Sequence, residues 1–155
     1  MARSSLFRHI LVPHDFSNPA TLALKTAARL AKEHGGKLTV LHVLVPFYLP
    51  ADVPFGMPAE GDLVPEQRKQ LHRLVTKALG RGGPPITVRV EIGEASQRII
   101  DASRRADSIV MATSGRTGLA HFLIGSVAER VVRHATVPVL TLRVPTRKRR
   151  EGRRK

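Results

Sequence analysis

Five short apolar runs alternate with four segments of helical period, and this alternation constrains the fold more than any other feature of the chain. The runs are Arg8–Val12, Lys37–Val45, Ile86–Ile92, Ser108–Thr113 and Val137–Val144. Each is short and rich in aliphatic residues, as strands buried on both faces are. Between the first two, Ser17 is placed to cap a helix with Pro19 in its first turn. Leu22, Ala23, Ala27, Leu30 and Ala31 then recur at helical spacing until Gly35-Gly36 stops them. A second helix is predicted from about Glu66 to Leu79, ended by the Gly80–Pro85 break. A third is predicted over Ala95–Arg105, with Ile99, Ile100 and Ala102 as core candidates, and a fourth over Ser126–His134. Strands alternating with helices imply right-handed crossovers and a parallel sheet covered on both faces.

The chain has 155 residues, a size that suits one domain. Aromatic residues make up 4%, so the core must be aliphatic, and the absence of cysteine excludes disulfides, thiolate metal sites and cysteine nucleophiles. No stretch approaches the roughly 20 apolar residues that span a bilayer. Met1–Ser5 lacks the apolar stretch of a secretory signal. These features lead us to expect a soluble, cytoplasmic protein. The formal net charge is +14, of which the tail Arg147–Lys155 (RKRREGRRK) carries +6. That tail repels itself and has nothing apolar to bury, so residues 1–146 are expected to form the domain and 147–155 a disordered extension. Weak, non-specific nucleic-acid binding is open to it, without base stacking, since it holds no aromatic residue. Pro46–Pro65, with five prolines and two glycines, is the longest expected loop.

In an open parallel sheet, ligands bind beyond the carboxyl ends of the strands, where strand order reverses. The loops concerned are Pro13-His14-Asp15-Phe16-Ser17 and Thr113-Ser114-Gly115-Arg116-Thr117-Gly118, the second leading to Gly125-Ser126 at a helix start. A helix N-terminus offers unpaired N–H groups and partial positive charge, and glycines before it let phosphate oxygens approach. Asp15 stands where a carboxylate could accept hydrogen bonds from a ribose or a base. It could equally end the strand and help start the helix. Ser126-Val-Ala-Glu129 also reads as a capping box, with Ser126 capping its own helix and Glu129 returning the bond.

At this point the residues resemble a known family. ILVPHDFS is similar to the first strand and aspartate of the universal stress proteins. ADSIVMATSGRTGLAHFLIGSVAERVVRHATVPVLTLRV resembles their C-terminal half, so the resemblance covers residues 7–144. Members that bind ATP carry G-x2-G-x9-G-[ST]. Here Gly115, Gly125 and Ser126 match, Ala112 stands in place of the first glycine, and Ser114 stands where many relatives have histidine. The resemblance implies a doubly wound α/β fold, Rossmann-like and similar to the adenine nucleotide alpha hydrolases, with a five-stranded parallel sheet in the order 3-2-1-4-5. It implies Asp15 and Val43 near adenine and ribose, and Pro13 and His14 lining the adenosine site. Met111 and Ala112 would border the nucleotide. Ser114 and Gly115 would face the phosphates together with Gly125, Ser126 and Val127. Mg²⁺ would arrive with the nucleotide. An apolar edge strand at Val137–Val144 invites pairing with its own copy, and the family often dimerises in this way.

Catalysis finds little support. G-x-S-x-G and the P-loop pattern are both absent. Seven histidines show no ligand pair with carboxylates, and His42, inside a strand, reads as a satisfied core or edge residue, so no metal site is expected. The expected function is an ATP-binding stress-response or regulatory module, not an enzyme. The rival readings are a dimeric interaction protein without nucleotide, or a nucleic-acid-associated protein acting through its tail.

Overall fold

The computed structural model describes residues 6–46, 60–113 and 125–143. Strand β1 spans His9–Pro13, helix α1 Asn18–Glu33, strand β2 Lys37–Leu44 and helix α2 Glu60–Leu79. They are followed by β3 (Ile86–Ile92), α3 (Ala95–Ser103), β4 (Ser108–Ala112), α4 (Ser126–His134) and β5 (Val139–Leu142). All neighbouring strands pair in parallel, in the order β3-β2-β1-β4-β5. The chain therefore winds outward from β1 to β3, returns to the far side of β1 for β4, and continues to β5. The reversal places a crevice at the carboxyl ends of β1 and β4.

Side chains alternate across each strand, and this sorts the core into two layers. Ile10, Val12, Leu38, Val40 and Val110 point to one face, where α1 and α2 cover them. Leu11, Leu41, Ile109 and Met111 point to the other, where Ile99 of α3 and Ala128 and Val131 of α4 pack.

Ser17 caps α1, its Oγ accepting from the Ala20 N–H at 3.2 Å. The stripe facing the sheet is Ala20, Ala23, Leu24, Ala27, Ala28 and Ala31. Leu22 was predicted in this stripe but is 46% exposed. At about 100° per residue it lies two steps, some 200°, from Leu24, on the solvent side. After the helix, a Cβ on Gly36 would stand 2.1 Å from the Phe7 carbonyl oxygen, so only a hydrogen fits where the α1–β2 turn crosses the entry to β1.

Several boundaries differ from those read in the sequence. Helix α2 starts at Glu60 rather than Glu66 and carries Pro65 within it, so the last six residues of the loop expected over Pro46–Pro65 are helical. Pro65 lacks the N–H that would bond the Gly61 carbonyl, a loss of one rung near the helix start. Helix α3 ends at Ser103, and Arg104 and Arg105 follow in a tightened turn, their N–H groups bonding Asp101 and Ala102 three residues back. Strand β5 is Val139–Leu142, shorter than Val137–Val144, because Pro138 has no N–H to offer a ladder. Ser114, Gly115, Val144 and the tail Arg147–Lys155 lie outside the described residues. Among the described residues, no helix is long and apolar enough to cross a membrane.

Candidate functional site

The turn leaving β1 is held by a network centred on His14. Its N–H donates to the Leu41 carbonyl at 2.8 Å, extending the β1–β2 ladder by one bond. Its ring is buried at 3% exposure. The Phe16 N–H donates to Nδ1 at 3.0 Å. The Thr21 hydroxyl donates to the Ser17 carbonyl at 3.0 Å and so accepts from Nε2 of His14 at 3.3 Å. These partners select the neutral tautomer protonated on Nε2. Burial lowers the His14 pKa to about 4; the Asp15 carboxylate opposes the shift and His42 adds to it.

Phe16 holds φ of 65°, in the left-handed region. That conformation costs on the order of 1–3 kcal/mol and persists where surrounding contacts over-determine it. Here the N–H bond to His14 and ring contact with His42, at 4.6 Å between centroids, do so. Asp15 Oδ1 accepts from the Ser17 N–H at 3.1 Å, closing the turn into α1. The strand-ending role foreseen for Asp15 is thus met, and the same side chain lines the cleft described below.

Val43 is placed by register. Along a strand, backbone groups point alternately to the two neighbours. Leu41 presents its carbonyl to the β1 side, at His14, and Leu44 presents its own to Gly93 beyond β3. Val43, two residues after Leu41, turns its N–H and C=O to the β1 side, past Pro13, where the β1 pairing has ended.

On the other side of the reversal, the Gly125 N–H donates to the Thr113 carbonyl at 2.6 Å. A Cβ at Gly125 would stand 3.1 Å from that oxygen, a tight approach. Gly125 is the N-cap of α4, and Ser126 is the first helical residue. This corrects the capping box: no side chain caps α4, and Glu129 pairs with Arg133 at 2.8 Å instead of reaching back. With a glycine cap, the first-turn N–H groups receive no side-chain oxygen, the condition that suits an incoming anion.

These pieces surround one cleft of about 500 Å³ at the carboxyl end of the sheet. Pro13, His14, Asp15, Val43, Met111, Ala112, Gly125, Ser126 and Val127 all line it. Ser114 and Gly115 lie outside the described residues. Ala112 ends β4 with ordinary strand geometry, since Phe16 is the one non-glycine of positive φ among the described residues. Its methyl group packs against the core layer under α1 and α2.

Thr113, at the head of the second expected loop, lines the cleft as well, while sequence reasoning missed His42, Val45 and Ile99, which also line it. His42 carried a signal: unlike His9 at the amino end of β1, it is an imidazole near the carboxyl end of an aliphatic strand. Ile99 carried none, because its place depends on how α3 returns over the sheet. A smaller cavity of about 140 Å³, lined by Val75, Thr76, Leu79 and Ile86, sits between α2 and the start of β3, away from the reversal. No group of three or more metal-ligating side chains occurs among the described residues.

The cleft's dimensions suit a small molecule, since such sites span about 300–1,000 Å³ with mostly apolar walls and a few convergent polar groups. Apolar walls from Leu41, Val43, Ile99 and Met111 would take a flat ring, and the α4 N-terminus would take an anionic group.

Comparison with known proteins agrees with the fold. The universal stress protein family matches residues 6–143. A universal stress protein of Methanocaldococcus jannaschii is 34% identical over 151 residues, covering 91% of this chain and 85% of its own. A universal stress protein solved in complex with cAMP superposes with a TM-score of 0.65 at 20% identity, covering 89% of this chain and 98% of that one. One from Archaeoglobus fulgidus in complex with dAMP gives 0.61 at 23% identity, covering 88% and 98%. The family match over nearly the whole described chain, joined to the sheet order and the crevice at its reversal, makes this chain a member of the universal stress protein family.

Proposed function

We propose that the chain binds ATP in the β1–β4 cleft and acts as a regulatory binding module, probed by partners according to nucleotide occupancy. The observation that carries this reading is the convergence of Asp15, the Val43 backbone and the Gly125–Ser126 helix start on one cleft. Val43 N–H and C=O would pair with the adenine edge, one donor and one acceptor. Asp15 would accept from ribose hydroxyls. The first turn of α4 would hold phosphate oxygens, with Mg²⁺ brought by the nucleotide. Relatives of the same fold that hold cAMP and dAMP support an adenine nucleotide as the ligand class.

In this reading the protein is not a dedicated catalyst and works in the cytoplasm as a homodimer. Both ring nitrogens of His14 are engaged, and a pKa of about 4 makes it a weak base at neutral pH. Mass spectrometry of ligand released from the purified protein, followed by calorimetry with ATP, tests the proposal. Co-purified adenine nucleotide, or micromolar ATP affinity of the emptied protein, supports it. Clean protein without ATP affinity overturns it in favour of an interaction protein that uses no nucleotide.

A further inference from the structure

Among the described residues, the ion pairs of the helical layers are confined to one layer, though Arg98 and Arg105 on that layer are exposed and have no ion pair either. On the α3–α4 layer, Arg133 pairs with Glu129 at 2.8 Å, Arg130 with Glu94 at 3.8 Å and Arg104 with Asp101 at 3.9 Å. On the α1–α2 layer, among the described residues, no ion pair reaches Lys25, Arg29, Lys32, Lys69, Arg73 or Lys77, and all six are exposed.

Their spacing is ordered. Lys25, Arg29 and Lys32 follow one another by four and three residues, and Lys69, Arg73 and Lys77 by four and four. At helical period each trio forms a single row. The buried residues of α1 (Ala20, Leu24, Ala27, Ala31) and of α2 (Leu71, Val75) face the sheet, so both rows face away from it. Both helices return over the same face of a parallel sheet, so their axes run the same way and the rows lie side by side. Neighbouring cations within a row are separated by roughly 5–6 Å along the axis. Packed helices stand roughly 8–10 Å apart. Exposed carboxylates on these faces are few, Glu33 and Glu66, while Glu60 and Asp62 belong to the first turn of α2.

We infer that the α1–α2 face is a docking surface for the phosphate backbone of double-stranded nucleic acid. A duplex presents a negative charge about every 1.7 Å of its axis, so two parallel rows of three cations meet phosphates along their whole length. The complementarity is to charge and not to sequence, because no aromatic side chain stands in either row and, among the described residues, no ion-pair partner fixes any of the six side chains so as to aim it at a base edge. Two scattered exposed leucines, Leu22 and Leu63, give the face too little apolar surface to enter a bilayer. The surface lies on a helical layer, whereas the nucleotide cleft opens at the carboxyl ends of the strands, so the inference stands independently of the ATP reading.

The test uses the full chain and a fluorescent 20-base-pair duplex of arbitrary sequence, with anisotropy read across a salt series. For about six phosphate contacts, affinity falls about a thousandfold from 50 to 200 mM salt. Lys69→Gln/Arg73→Gln/Lys77→Gln should weaken binding at least tenfold at 50 mM salt and lower the slope of log K against log salt by about 2 to 3. Arg98→Gln/Arg104→Gln/Arg105→Gln, on the opposite layer, removes the same charge and should change the slope by less than one. The basic tail is present in every variant and contributes alike to all. Equal effects from the two triple variants would mean diffuse attraction by net charge and would overturn the proposal. So would a slope unchanged in the α2 variant. Tighter, α2-dependent binding to phosphatidylserine vesicles than to the duplex would replace nucleic acid with a membrane and equally overturn it. Circular dichroism of each variant checks that these exposed substitutions leave the fold intact.

Discussion

His42 donates its Nδ1 hydrogen to the carbonyl oxygen of His14 at 2.8 Å, joining β2 to the turn that leaves β1. One side chain thereby fixes the backbone from which His14 and Asp15 project into the cleft, and the consequences are measurable.

The first concerns the two ends of the cleft. Asp15→Ala removes the proposed ribose acceptor, and losing a hydrogen bond to a charged group costs about 1.5–3 kcal/mol. ATP affinity should fall roughly 10- to 100-fold. Asp15→Asn keeps an oxygen for the Ser17 N–H and serves as the folding control. Gly125→Val places a branched side chain beside the Thr113 carbonyl and in the path of a phosphate, and should weaken ATP at least tenfold. Calorimetry on folded variants decides; unchanged affinity in both would remove the proposed site.

Ala112→Gly is expected to leave ATP affinity equal or improved. The residue stands in strand geometry at the end of β4, so the alanine is not strained. Removing its methyl group frees the backbone, at roughly 0.5–1 kcal/mol of stability. Thermal melting and calorimetry read the two effects separately. A tenfold loss of ATP affinity in the folded variant would contradict this placement of the nucleotide.

The His14 environment makes stability depend on pH. Its folded pKa, about 4, lies below the ordinary 6.5, so the unfolded chain binds the proton more readily. The neutral ring's contribution is fully present above pH 6.5 and is lost progressively as pH falls toward 4. The loss amounts to roughly 2–3 kcal/mol. His9, lowered by burial and then by Lys37, acts in the same direction. His14→Asn, whose amide oxygen replaces Nδ1 as acceptor for the Phe16 N–H, should flatten this part of the profile. Urea unfolding from pH 4 to 7.5 measures it, and an unaltered slope in the variant would contradict the assignment.

Strand β5 ends the sheet, and Leu140 on it is 40% exposed. A two-fold axis would pair Val139–Leu142 with its copy and close the edge of both sheets. A formal charge of +14 opposes association when counterions are scarce. Sedimentation at micromolar concentration should show a dimer at about 0.15 M salt and dissociation at low ionic strength. A chain that stays monomeric at the higher salt with ATP present would rule this pairing out.

The strands were legible because buried parallel strands are written as continuous aliphatic runs, and LTVLHVLV admits few alternatives; their order followed from the family resemblance and not from the runs themselves. The cleft's floor and its edges at Pro13 and Gly125 were legible because strand ends and glycines mark them. The details that failed depend on what meets in space. Leu22 fits a helical spacing list yet faces water, because Leu24 occupies the face that meets the sheet. Ser126 fits a capping box, but Gly125 can approach the Thr113 carbonyl and takes the cap position one residue earlier. Helix α2 passes through Pro65, where a local rule places its start, since one missing rung near an end is a small cost beside the burial of Leu71 and Val75.

The sheet is a partition one residue thick between two apolar layers that otherwise fold as separate interiors. The cleft straddles the rim of that partition: Ala20 reaches it from the α1 side, and Ile99 and Ala128 from the other. A molecule seated there would act as a rivet through both halves. Neither layer could then loosen without giving up its share of the bound guest. In the proposed reading, occupancy would be felt as rigidity in parts of the protein that never touch the guest, including β5 and the outer helix faces.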